Sequence, residues 1–148
     1  MKNFDVVALG ELLIDFTENG KSAQGNMTYE ANPGGAPCNV LAMLNKAGRK
    51  TAFIGKVGQD LFGNKLKTTL DEVGFDTSNL VIDEDARTTL AFVETFPDGD
   101  RDFSFYRNPG ADMMLRKEDL HEDLIRDAKI FHYGTLSMTH DGVREATK

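Results

Sequence analysis

Cysteine occurs once in this chain of 148 residues, at Cys38, which rules out an internal disulfide and fits a reducing, cytoplasmic setting. No apolar run approaches the roughly 20 residues of a membrane-spanning helix. Basic charge is in short supply. Lys and Arg number 17 against 24 Asp and Glu, a formal charge of −7 that argues against a general nucleic-acid binder. The opening residues, Met1-Lys2-Asn3-Phe4-Asp5, run straight into a strand-like segment and lack a signal-peptide cleavage pattern. Internal repeats, linkers and low-complexity stretches are also missing. What is present, 40% hydrophobic and 28% charged residues, suits one globular domain able to bury roughly two-thirds of its unfolded surface.

Along the chain, apolar runs alternate with helical patterns. Phe4 to Gly10 reads as a buried strand, and Glu11 to Phe16 continues extended, with Asp15 a lone acid between Ile14 and Phe16. Asn19-Gly20 signals a turn, and Met27 to Ala31 a return strand. A helix from about Pro37 to Ala47 would bury Val40, Leu41, Leu44 and Ala47 and stop at Gly48. Thr51 to Ile54 is the next strand, closed by Gly55. Asp60 caps a helix with the stripe Leu66, Leu70, Val73, ended by Gly74. Thr88–Phe96 and Arg101–Tyr106 are strands joined through Pro97-Asp98-Gly99-Asp100. A charged helix from about Lys117 to Asp127, a strand from Lys129 to Gly134 and a last helix capped by Thr139 complete the pattern. Alternating strands and helices imply an α/β fold with a parallel sheet covered on both faces. The two hairpin-like pairs interrupt that rhythm and predict a small separate sheet, a lid.

The densest chemistry lies in Asn32-Pro33-Gly34-Gly35-Ala36-Pro37-Cys38-Asn39. Adjacent glycines let backbone approach a ligand closely, Pro37 suits a helix's first turn, and Asn39 projects an amide from it. Together they suit a polyhydroxylated or anionic small molecule. Asp15, just past a buried strand, sits where ligands bind in open α/β sheets. Arg107 follows the aromatic run Phe103-Ser104-Phe105-Tyr106, from which it would reach over a bound anion or sugar. Other motifs fall away. Gly20-Lys21-Ser22 lacks the first glycine of a phosphate-binding loop, which Asp15 replaces. Gly55-Lys56-Val57-Gly58 lacks the basic surface of an RNA-binding clamp. Asp98, Asp100 and Asp102 have calcium-loop spacing, but Phe103 and Pro109 stand where that loop needs glycine and glutamate. His121, His132 and His140 form no metal-ligand grouping, and Cys38 reads as a small buried thiol.

Gly34-Gly35-Ala36-Pro37-Cys38-Asn39 with Gly48 and Gly58 strongly resembles the first signature of the ribokinase-like carbohydrate kinases, the phosphofructokinase-B family. Gly10-Glu11 leading to Asp15, the run Gly55 to Asp60 with Phe62-Gly63, and Phe105-Tyr106-Arg107 through Ala111-Asp112 extend the likeness over essentially the whole chain. One departure is Leu41, where the family usually has a small residue. The resemblance implies a three-layer α/β/α fold with a mostly parallel central sheet and a β-sheet lid. Its strands would lie at about 11–32 and 88–107, all within one ribokinase-like domain. It further implies that Asp15, Gly34, Gly35 and Asn39 hold a sugar, with Phe105 and Arg107 closing over it. ATP and Mg²⁺ would serve the full-length enzyme, and a homodimer would form through the lid. The lid looks most like that of bacterial fructokinases, implying fructose to fructose 6-phosphate, with 2-keto-3-deoxygluconate kinase and ribokinase as alternatives. The family's catalytic aspartate, in a Gly-Ala-Gly-Asp motif, is absent from these residues. The expectation is therefore the N-terminal half of a sugar kinase, inactive alone. From another class, a non-catalytic sugar-binding or dimerisation module is the rival; a Rossmann nucleotide domain is weaker, lacking a glycine-rich fingerprint after its first strand.

Overall fold

The computed structural model describes residues 2–148. The chain runs β1 (Phe4–Leu9), β2 (Leu13–Lys21), β3 (Met27–Gly34), α1 (Ala36–Lys46), β4 (Thr51–Gly58), α2 (Leu61–Val73), β5 (Asp76–Asp83), β6 (Leu90–Thr95), β7 (Arg101–Tyr106), α3 (Glu122–Arg126), β8 (Ala128–Tyr133) and α4 (Asp141–Thr147). Two sheets result. One has the order β5-β4-β1-β8 and is parallel throughout. The other, β3-β2-β6-β7, is mixed: β2 runs parallel to β6 and antiparallel to β3, and β6 pairs antiparallel with β7.

Successive residues of a strand face opposite ways, and the parallel sheet uses both faces. Val6, Ala8, Phe53 and Val57 pack against Cys38 and Leu41 of α1 and Leu66 and Leu70 of α2. Val7, Leu9, Ala52 and Ile54 pack on the other side against Leu115 and against Val143 and Ala146 of α4. This is the layered α/β arrangement expected. Leu41, the residue that departs from the family pattern, is wholly buried in the first of these cores.

Several boundaries differ from expectation for visible reasons. The β2–β3 turn lies at Ser22–Asn26, where the Ser22 amide donates to the Asn26 carbonyl; Asn19-Gly20 instead falls inside β2 beside an irregularity in the ladder. β4 continues through Gly55 to Gly58, and β5 is an additional strand. In α1 the buried residues are Pro37, Cys38 and Leu41, whereas Val40 and Ala47 are exposed. The expected Lys117–Asp127 helix is split into a 3₁₀ turn at Lys117–Asp119 and the short α3. Asn79 explains the break: its amide donates to the Asp119 carbonyl and accepts from the His121 N–H, taking backbone groups a continuous helix would need. His140, not Thr139, stands at the N-cap of α4, because the Thr139 hydroxyl donates to the Leu136 carbonyl instead.

Candidate functional site

The site is built where β1 ends and the chain crosses to the second sheet. Residues 10–12 leave the parallel sheet, and β2 then carries Asp15 opposite Asn32 of β3 and Ala91 of β6. Ala91 in turn pairs with Phe105 of β7. Asn32, Asp15, Ala91 and Phe105 thus form one row across four strands, on one face. The geometry brings Asp15 and Gly34 into contact. A β-carbon on Gly34 would collide with the Asp15 carboxylate, and this bare backbone is what gives the carboxylate its place. Asp15 is half-buried and accepts no hydrogen bond from the described residues. Burial, with nothing to offset it, pushes its carboxyl above the ordinary aspartate value. A half-buried acceptor without a donor is suited to a ligand's hydroxyl groups.

Gly35 is the N-cap of α1, with φ 127°. That left-handed region suits glycine, and a β-carbon here would also run into the Glu11 carbonyl oxygen. The helix consequently lacks a side-chain cap from its own N-cap residue. Glu11 takes the part from a distance: its Oε1 accepts from the Ala36 N–H at 2.9 Å. Glu11 is only 5% exposed, and its Oε2 has no hydrogen-bond partner. Sequence reasoning noted Glu11 only as part of a signature segment. An acid directly after a strand-ending glycine was the available signal.

Asn39 is exposed on the first turn of α1 and, with Gly34, Pro33 and Cys38, lines a cavity of about 210 Å³ between α1 and α2. Cys38 lies buried there, and burial together with the Glu11 charge pushes its thiol far above the ordinary cysteine value.

Phe105 is half-exposed and stacks on Phe103, with ring centroids 6.0 Å apart. Arg107 is held elsewhere. Its Nε donates to Asp112 Oδ2 at 2.8 Å, Nη2 lies 2.6 Å from the same oxygen, and Asp112 Oδ1 accepts from the Thr89 hydroxyl. Asp112 thereby ties the start of β6 to the end of β7. Asp60 does similar work beside it, one residue earlier at Thr88. It caps α2 through the Phe62 and Gly63 amides and accepts from both the Thr88 N–H and hydroxyl.

Among the described residues no group of three His, Cys, Asp or Glu side chains is arranged to hold a metal ion. No helix is long and apolar enough to cross a membrane.

Known proteins share this fold. Probable fructokinase-5 of Arabidopsis thaliana is 46% identical over 143 residues, covering 95% of this chain and 44% of that protein. The crystal structure of fructokinase from Xylella fastidiosa superposes with a TM-score of 0.91 at 36% identity, over 99% of this chain and 45% of that one. A second structure of that enzyme, with bound ATP, gives 0.88. The chain thus spans under half the length of the relatives it matches. Residues 3–147 match the pfkB family of carbohydrate kinases, and the chain belongs to that family.

Proposed function

We propose that this chain is the sugar-binding part of an ATP-dependent sugar kinase, with fructose as substrate and fructose 6-phosphate as product. The observation that carries the reading is the Asp15 carboxylate, half-buried, without a donor, and seated on the bare backbone of Gly34 beside the α1 N-terminus. Asp15 accepts hydrogen bonds from sugar hydroxyls, charge-assisted bonds worth about 1.5–3 kcal/mol each. Gly34 and Gly35 let the sugar lie close to the backbone, and the Asn39 amide both donates to and accepts from it. The second sheet acts as a lid. Phe105 covers the ligand and Arg107 braces the lid's root, so that water is kept from competing for the phosphoryl group.

The phosphoryl donor, ATP with Mg²⁺, and the catalytic base are assigned to the remainder of the full-length protein, as the 44% coverage of the relatives supports. This part alone is inactive. Exposed aromatics on the second sheet, among them Tyr29, Phe103 and Tyr106, together with free β3 and β7 edges, support dimerisation through the lid. The unbridged Cys38 supports a cytoplasmic location.

The test is a phosphorylation screen of the full-length protein over fructose, ribose, 2-keto-3-deoxygluconate and nucleosides. Turnover of fructose above the others is the expected result, and turnover of none overturns the kinase reading. Sedimentation of the full-length protein with and without the 97–100 turn checks the dimer.

A further inference from the structure

The start of an α-helix of 11 residues is ordinarily a place for anions, because its first amides are unpaired and its dipole is positive there. Here that capacity is reduced. The Ala36 N–H is given to Glu11 Oε1, and Pro37 has no N–H to give. Glu11 sits behind the turn as a buried carboxylate, and no Lys, Arg or His pairs with it among the described residues. Its second oxygen, Oε2, is buried with no donor among the described residues. A helix cap alone does not account for this, since Ser, Thr, Asp or Asn at the N-cap would provide one without burying an unpaired oxygen. Position 35 is closed to those residues by its φ of 127° and by the Glu11 carbonyl oxygen where a β-carbon would stand. On the other side of the double glycine, Asp15 packs over Gly34, also without a cation. Two uncompensated carboxylates therefore flank the Gly34–Gly35 turn.

We propose that Glu11 is a specificity-determining residue: its buried carboxylate cancels the anion affinity of the α1 N-terminus, so that the Gly34–Gly35 turn accepts an uncharged polyol and rejects a phosphorylated one. The proposal rests on the sugar-site reading above and adds to it a reason why product-like, anionic sugars are kept off this subsite. A sugar hydroxyl carries no net charge and is little affected by the field of the buried Glu11 carboxylate; a phosphate meets that field at close range and is repelled.

The experiment measures fructose and inorganic phosphate binding to the full-length protein by calorimetry, for the wild type and Glu11→Gln. Glutamine keeps an oxygen for the Ala36 N–H but removes the charge. Fructose affinity is expected to stay within about twofold while phosphate affinity rises about tenfold. An unchanged phosphate affinity overturns the proposal, and so does an equal loss of fructose binding and of Ala36 amide protection, which marks a merely structural cap. Should Glu11→Gln fail to fold, competition in the wild type decides: phosphate at 100-fold excess is expected not to displace fructose, and displacement overturns the proposal. If the wild type binds no fructose, the sugar reading fails, while the phosphate gain in Glu11→Gln still decides the role of Glu11.

Discussion

The Asp15 side chain lies across the Cα of Gly34, so that a β-carbon on residue 34 would stand 2.8 Å from Asp15 Cγ and closer still to its carboxylate oxygen. Gly34 is not in the left-handed region, so alanine there strains no backbone and acts by displacing Asp15, with a lesser push on Leu13 Cδ1 at 3.0 Å. Gly34→Ala is expected to lower fructose affinity about tenfold, the equivalent of one charge-assisted hydrogen bond. Calorimetric titration of the chain with fructose checks it, and unchanged affinity removes Asp15 and Gly34 from a common site.

Asp15 itself carries a pH signature. Its carboxyl is raised by burial, so the native state holds the proton more tightly than the unfolded chain, whose aspartates titrate at about 3.9. The ionised form therefore costs stability, a cost absent below the unfolded value and complete above the native one. Asp15→Asn should have a higher Tm than the wild type at pH 7, with the difference closing as pH falls toward about 3. The same variant should lose sugar affinity, and Asp15→Ala in the full-length enzyme should raise KM about tenfold or more at little cost in folding. Thermal melts across pH and steady-state kinetics separate the two effects.

The strand–helix alternation was legible because buried strands such as 4–10 and 51–54 are nearly all apolar, and because Asp60 and Gly74 bracket α2 with ordinary caps. β5 was not. Asp76-Thr77-Ser78-Asn79 is polar, and it becomes a strand only by pairing with β4, a tertiary effect. The broken 117–127 helix was hidden for the same reason, since Asn79 intervenes from 40 residues away along the chain. At the site, Asp15 and the double glycine were visible from residue type and position. The roles of Glu11 and Asp112 were not, because each depends on a partner brought close only by the fold: Ala36 for one, Thr89 and Arg107 for the other.

Asp60 links α2 to the root of the second sheet, and its loss should be felt in both. Desolvation pushes its carboxyl up, but hydrogen bonds from the Gly63 and Thr88 amides, the Thr88 hydroxyl and the Phe62 amide outweigh it and hold the group below the ordinary value. A depressed acid contributes stability that is present above the unfolded value and lost as pH falls through the native one. Asp60→Ala should therefore destabilise the chain by about 2 kcal/mol at pH 7, with the difference shrinking below about pH 4. Denaturant unfolding at pH 7 and pH 3 measures it.

Cys38 should behave as an inert thiol. Burial first and the Glu11 charge second push its thiol far above the ordinary range, so thiolate is scarce at neutral pH. Alkylation by iodoacetamide at pH 8 should be at least about 100-fold slower than for the unfolded chain, tracked by mass spectrometry. Rapid labelling of the native chain would mean that the cavity between α1 and α2 opens far more readily than its packing indicates.

Arg107 and Asp112 form the most deeply placed ion pair of the second sheet's root, with side chains 11% and 2% exposed. Removing one member of such a pair strands the other without its partner, at a cost of about 3–5 kcal/mol. Arg107→Ala and Asp112→Ala should each fall within that range. The double variant should cost clearly less than the sum, as expected for directly coupled groups. Function follows from the same geometry. With Arg107 positioned by Asp112, Asp112→Asn in the full-length enzyme should raise the sugar KM by a factor similar to that of Arg107→Ala. A normal KM in Asp112→Asn beside a raised one in Arg107→Ala would show that Arg107 acts on the lid without help from Asp112.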